Sequence, residues 1–164
     1  MNYGDNSMKI AGIDPGVTGA VAIIEDGQLP KIFDTPAMVL HKPGGKSRTE
    51  YDLQGMAKIL ESERPDRVVI EEIQPMQLGS IAAFSIGGGY RAWLMACAIF
   101  QIPVEKVSPQ KWKKLVGLPK GADKEASRLK ALEHFPEKYE SIKLKKDHNK
   151  AEALLIALYG LLQK

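Results

Sequence analysis

The sequence predicts an α/β protein: a five-stranded mixed sheet, three antiparallel strands followed by two parallel ones, flanked by helices. Three observations carry this. The chain opens with short apolar runs separated by tight-turn signals, the mark of antiparallel hairpins. Strand and helix patterns alternate from residue 51 onward, which is how a sheet gains parallel strands. The run Arg67-Val68-Val69-Ile70-Glu71 is apolar through its centre, as a strand covered on both faces must be.

In chain order, residues 1–8 form a polar leader, expected to be flexible, and residues 9–164 a single domain. Lys9 to Asp14 is the first strand; Pro15-Gly16 turns the chain, and Gly19 to Glu25 returns as the second. Asp26-Gly27 is a hairpin-turn signal, and Gln28 to Thr35 reads as the third strand. Met38 to Glu50 holds two glycines, Pro43, Lys42, Lys46 and Arg48, and reads as an exposed loop. Tyr51 to Glu63 has helical spacing at Leu53, Met56, Ala57 and Leu60, and Pro65 ends it. Arg67 to Glu71 is the fourth strand, and Gln74 to Gly79 is a loop. Ser80 to Phe100 is helical in pattern, but Gly87-Gly88-Gly89 is expected to interrupt it, because glycines are costly inside helices. Val104 to Val107 is the fifth strand. Ser108-Pro109 opens a helix with proline at its first position, and Trp112 is expected to anchor it in the core. Asp123 to His134 is another helix. Asn149 to Leu162 is the last, with an apolar stripe at Ala151, Leu154, Leu155, Leu158 and Leu162.

The chain has 164 residues, enough to bury one full core, and its 44% apolar content is that of a globular protein. No run approaches the roughly 18 apolar residues of a membrane span. The first residues lack the apolar stretch of a signal peptide. One cysteine, Cys97, excludes an internal disulfide, and its apolar helical setting reads as burial. These features point to the cytoplasm. The net charge of +3 conceals an asymmetry: residues 111–150 hold twelve Lys or Arg against six Asp or Glu, so the remainder is at −3. A basic segment in a near-neutral chain suits a polyanion.

The chemistry lies in acids at element ends. Asp14 closes the first strand before a Pro-Gly turn, with Gly16 and Gly19 leaving room around it. Glu71 and Glu72 close the fourth strand. Side chains alternate along a strand, so only one of the two can face Asp14, and phase alone does not choose. A third cluster, Asp147-His148-Asn149-Lys150-Ala151-Glu152, opens the last helix. Asn149 and Glu152 have the spacing of a capping box, while His148 and Glu152, four apart, share a helix face if the helix begins early enough. Oxygen ligands with little Cys or His suit magnesium or manganese. Two such ions, about 3.5–4 Å apart, can clamp the attacking water and leaving oxygen of a phosphodiester.

Gly12-Ile13-Asp14-Pro15-Gly16, Val69-Ile70-Glu71-Glu72-Ile73 and Ala151-Glu152-Ala153-Leu154-Leu155-Ile156-Ala157 occur in the order in which they resemble the RuvC-type Holliday-junction resolvases of the ribonuclease H-like superfamily. Ser85-Ile86-Gly87-Gly88-Gly89-Tyr90 resembles phage-type members. The resemblance implies a ribonuclease H-like sheet and a metal-dependent endonuclease. It also implies a homodimer that binds a four-way DNA junction and makes paired, symmetric nicks. By resemblance Asp14, Glu71 and Glu152 are catalytic and metal ligands, with two magnesium or manganese ions. The family's further acid falls on Asn149 in one alignment, so Asp147 or His148 would complete the site. Many relatives carry Asp where Glu152 stands. Bacterial members often place an aromatic at the position of Gln74; Met76 or Phe84 could substitute, a core role for Phe84 being the simpler reading. Lys111, Lys113, Lys114 and Lys124 become phosphate contacts, and a helix carrying Ala82, Ala83, Ile86 and Tyr90 could form the dimer interface. A YqgF-type RNA-processing nuclease shares the strand-one pattern, and a non-catalytic junction-binding protein is a third reading. Asp14 to Gly19 also resembles the first phosphate loop of actin-like ATPases, but those need two lobes.

Overall fold

Seven strands and six helices make up the computed structural model, which describes residues 7–73 and 79–163. The strands are β1 (Lys9–Asp14), β2 (Ala20–Glu25), β3 (Lys31–Asp34), β4 (Ala37–Leu40), β5 (Arg48–Tyr51), β6 (Arg67–Glu71) and β7 (Val104–Val107). The helices are α1 (Leu53–Glu63), α2 (Ser80–Ile99), α3 (Pro109–Leu115), α4 (Lys124–His134), α5 (Tyr139–Ile142) and α6 (His148–Leu162). The main sheet has the order β3-β2-β1-β6-β7. The pairs β1–β2 and β2–β3 are antiparallel, and β1–β6 and β6–β7 are parallel. This is the mixed sheet that the sequence predicts.

Alternation along the strands sorts the core into two layers. Ile10, Ala20, Ala22, Ile24 and Val69 face one side, where α6 packs with Trp112, Val116 and Ala131. Ala11, Ile13, Val21, Ile23, Val68 and Ile70 face the other, against Met56 and Leu60 of α1 and Trp93, Ala96 and Cys97 of α2. On the first side the contact is unusually close. A Cβ on Gly12 would overlap the backbone of Ala153 and Ala157, so only glycine lets α6 lie directly on β1.

Three sequence expectations are corrected. The segment 38–50 is not a loop: β4 and β5 pair antiparallel, Ala37 opposite Tyr51 and Leu40 opposite Arg48. Its proline and glycines serve the turn between them. Second, α2 runs unbroken through Gly87-Gly88-Gly89. The ring of Tyr51 occupies the place of a Cβ on Gly89, so tertiary packing there outweighs helix propensity. Third, Phe84 is 86% exposed rather than in the core, and Tyr90 is buried rather than facing a partner. The expected leader lies mostly outside the described residues, but Met8, at its end, packs against the core. Gln74 and Met76 also lie outside them. Cys97 is buried, as expected. No helix among the described residues is long and apolar enough to cross a membrane.

Candidate active site

Strand phase decides which acids can meet. Asp14 has the parity of Ile10 and Gly12, the residues of β1 beneath α6. Glu71 has the parity of Val69, which faces the same layer. The parallel register sets Ile13 beside Ile70, and one step further brings Asp14 beside Glu71. Glu72 has the opposite parity and is exposed. The choice that phase alone left open is thereby made: Glu71 shares the face of α6, and Glu152 lies on α6 itself.

The electrostatics record this convergence. Asp14 retains some accessible surface but is buried enough to raise its carboxyl to about 7. Burial is the largest cause, followed by the charges of Glu71 and Glu152; a Gly16 backbone hydrogen bond and Lys124 act in the opposite direction. Glu71 is likewise raised to about 7, mainly by burial and also by Glu152, against the Trp112 hydrogen bond and Lys113. Trp112 is fully buried in the core, as expected, but its indole Nε1–H also donates to Glu71 Oε2 at 2.5 Å. The sequence reading missed this second role. The only signal was the tryptophan's place four residues after Ser108, one turn into a helix following β7.

Glu152 is held by two neighbours. Buried Ser127 of α4 donates its hydroxyl to Oε1 at 3.1 Å, and Lys113 Nζ lies 3.5 Å from the same oxygen. The expected capping box does not form. Asn149 instead donates to the Thr18 carbonyl at 2.6 Å, tying the start of α6 to the loop after Asp14. Because α6 starts at His148, that residue and Glu152 do lie one turn apart. His148 Nε2 is 2.9 Å from Lys124 Nζ, while Nδ1 is 3.1 Å from the Lys145 carbonyl. With an ammonium donor on one side and a carbonyl acceptor on the other, Nδ1 carries the hydrogen and Nε2 accepts. Asp147 is engaged elsewhere: it accepts from the Leu144 N–H at 3.1 Å and pairs with Lys150 at 3.9 Å. It is not among the groups that act on Asp14 or Glu71.

The four expected phosphate-contacting lysines divide. Lys113 and Lys124 stand against the acids. Lys111 pairs with Glu105 at 3.6 Å and lies over the Tyr159 ring, and Lys114 is exposed. As for a metal, three carboxylates are the donor set of a hard divalent cation, and two of them resist ionisation, chiefly because they are buried and also because the acids repel one another. Among the described residues no three Asp, Glu, His or Cys side chains are disposed to hold an ion as they stand. Glu71 is turned to Trp112, and Glu152 to Ser127 and Lys113. The donor chemistry of the three acids is that of a hard divalent ion, while the two glutamates are engaged by Trp112, Ser127 and Lys113.

Known proteins carry the same chain plan. The chain is 33% identical over 135 residues to the crossover junction endodeoxyribonuclease RuvC of Geotalea uraniireducens, covering 79% of this chain and 78% of that one. It belongs to the RuvC family. Another RuvC, from Xanthomonas euvesicatoria, is 29% identical over 154 residues, 92% of this chain and 85% of the relative. No family model matches the chain. The fold is that of Thermus thermophilus RuvC, with a TM-score of 0.60 at 20% identity, covering 94% of this chain and 96% of that one. The same bacterium's RuvC in complex with Holliday junction substrate gives a TM-score of 0.61 at 21% identity, with 93% and 92% covered.

Proposed function

We propose that this protein is a metal-dependent endodeoxyribonuclease that resolves four-way DNA junctions by paired symmetric nicks. The observation that carries the reading is the meeting of Asp14, Glu71 and Glu152 from two adjacent strand ends and the helix laid across them. These three carboxylates would hold magnesium or manganese, two ions per site. When bound, such ions activate water and stabilise the charge that develops on the phosphate. His148 is the fourth candidate ligand, since its Nε2 accepts toward the site; Asp147 braces the helix start instead.

The remaining groups orient and neutralise. Trp112 orients the Glu71 carboxylate through an indole N–H that can only donate. Ser127 does the same for Glu152. Lys113 and Lys124 supply positive charge where a phosphate would enter, and Lys111 and Lys114 extend it along the backbone. The protein works as a homodimer in this reading, because a junction offers two strands of like polarity, and the exposed face of α2 is its contact. It acts in the cytoplasm.

The test is incubation with synthetic four-way, Y-shaped and linear DNA, with and without magnesium, reading cut positions on each strand. Paired nicks confined to the four-way form are expected, lost in Asp14→Asn while junction binding persists. Equal cutting by Asp14→Asn, or indifference to branch structure, overturns the reading.

A further inference from the structure

The ribbon of β4 and β5 lies outside the main sheet and takes no part in the site described above. Its root does touch that site. Tyr51, the last residue of β5, donates its hydroxyl to the Pro15 carbonyl at 3.3 Å, one residue past Asp14, and its ring lies on Gly89 of α2. The Asp52 N–H donates to Pro36 O at 2.9 Å and closes the ribbon at its base. Beyond the root, Ala37, Met38 and Val39 and every residue from His41 to Thr49 are exposed.

The tip is shaped rather than slack. The Gly45 N–H donates to Lys42 O at 3.0 Å, with Pro43 second in the turn and Gly44 third at φ +69°. That is the pattern of a type II turn, in which the third residue needs a positive φ. Beneath it, His41 Nδ1 and Ser47 Oγ are 2.9 Å apart and join the two strands. Residues 41–48 carry Lys42, Lys46 and Arg48 and no acid. Arg48 also contacts Glu50, on the same strand. From Ala37 at the root to Lys42 in the turn, six residues of extended chain reach at most about 20 Å, at ~3.3 Å per residue.

We propose that this ribbon is a DNA arm: Lys42, Lys46 and Arg48 grip backbone phosphates of the duplex that flanks the cut, about six nucleotides from it at ~3.4 Å per strand phosphate. The inference rests on the nuclease reading for its ligand. Its own grounds are the ribbon's root beside Asp14, its uncovered length and its uniformly basic, turn-locked tip. A two-stranded ribbon whose faces are both exposed is marginal in water by itself, and a duplex would cover one of them.

The test compares wild type with a Lys42→Ser, Lys46→Ser, Arg48→Ser variant and with the charge-preserving Lys42→Arg, Lys46→Arg, Arg48→Lys variant. Thermal melts check that each folds. Affinity for a labelled four-way junction is measured from about 50 to 200 mM salt, with calcium replacing magnesium, and hydroxyl-radical footprints are taken. The serine variant should bind at least ~10-fold more weakly at the low-salt end, with the log–log salt slope shallower by about 2 to 3. It should lose protection some six nucleotides from the cut and still cut at the same positions once saturated. The charge-preserving variant should match wild type, and a junction with arms too short to reach the tip should abolish the difference. Unchanged affinity, slope and footprint in the serine variant overturn the arm whether or not wild type cuts. So does a serine variant that binds short and long arms equally weakly. Arm-dependent binding with no cutting by wild type would instead keep the arm and overturn the nuclease reading.

Discussion

The two helices that cover the sheet differ in what their apolar residues meet. On α6, Ala151 and every residue from Ala153 to Gly160 are buried, between β1 and the packed side chains of α3 and α4. On α2, only Gly89, Tyr90, Trp93, Ala96 and Cys97 are buried, while Ile81, Phe84, Met95 and Ile99 stand in solvent. A helix that is apolar all round belongs inside a protein. One of the two satisfies that within its own chain, and the other leaves large apolar side chains exposed. The covered helix bears the third acid of the candidate site, because close packing on β1 is what holds Glu152 over the strand acids. The half-covered helix offers the exposed apolar face on which the proposed dimer would form.

Substitutions at glycine should expose this difference most strongly. Gly12→Ala drives a methyl into the α6 backbone, which has no flexible end to yield, and should cost more than ~3 kcal/mol in chemical denaturation. Gly87→Ala on α2 meets nothing within 4 Å and should be neutral or stabilising by up to ~1 kcal/mol. Similar losses at both positions would erase the distinction.

The next effect is pH-dependent. Both Asp14 and Glu71 have folded pKa values raised to about 7, above those of the unfolded chain. Well below the ordinary carboxyl values of 3.8 for Asp and 4.5 for Glu, both states are protonated and these groups contribute no penalty. As pH rises towards 7, the unfolded chain releases protons that the folded one retains, so metal-free stability falls. Melts in chelator from pH 4.5 to 8 should show that fall. Asp14→Asn should flatten it, and magnesium should restore the wild type at pH 8 with little effect on the variant. A flat wild-type profile would mean that the two acids do not share a buried field.

Trp112→Phe keeps the ring in the core but removes the donor to Glu71. A buried acceptor left without its partner should cost about 1–3 kcal/mol. The Glu71 carboxyl should rise further, moving the alkaline onset of cutting to higher pH; an unmoved onset would make Trp112 a packing residue only. The smallest change in fold stability should come from Phe84→Glu, within ~0.5 kcal/mol, because the ring touches solvent. Sedimentation should nevertheless show monomers for the variant and, under the proposed dimer, dimers for the wild type at the same concentration. A variant that still dimerises would move the contact off α2.

Much of this was legible in the residues. The strands at 9–14 and 67–71 coincide with the apolar runs that predict them, because a strand buried on both faces writes its identity in every position. The ribbon of β4 and β5 was not legible. Four-residue strands with both faces in water carry no apolar alternation, and their turn residues read as loop. Nor was the unbroken α2, since its glycine run is explained at Gly89 by a tyrosine thirty-eight positions earlier.

The order of acids along the chain, Asp14, Glu71 and Glu152, and the strand ends and helix that bear them, belong to the sequence alone, because local periodicity and turn chemistry set element boundaries. Which acids meet belongs to the tertiary structure. The β1–β6 register and the layer occupied by α6 select Glu71 over Glu72. The packing of α6 on β1 turns Glu152 toward the strand acids, while Asp147 accepts from the Leu144 N–H instead. Strand phase names two faces but not which one a helix will cover, and that is settled only when Gly12 lets α6 settle against the sheet.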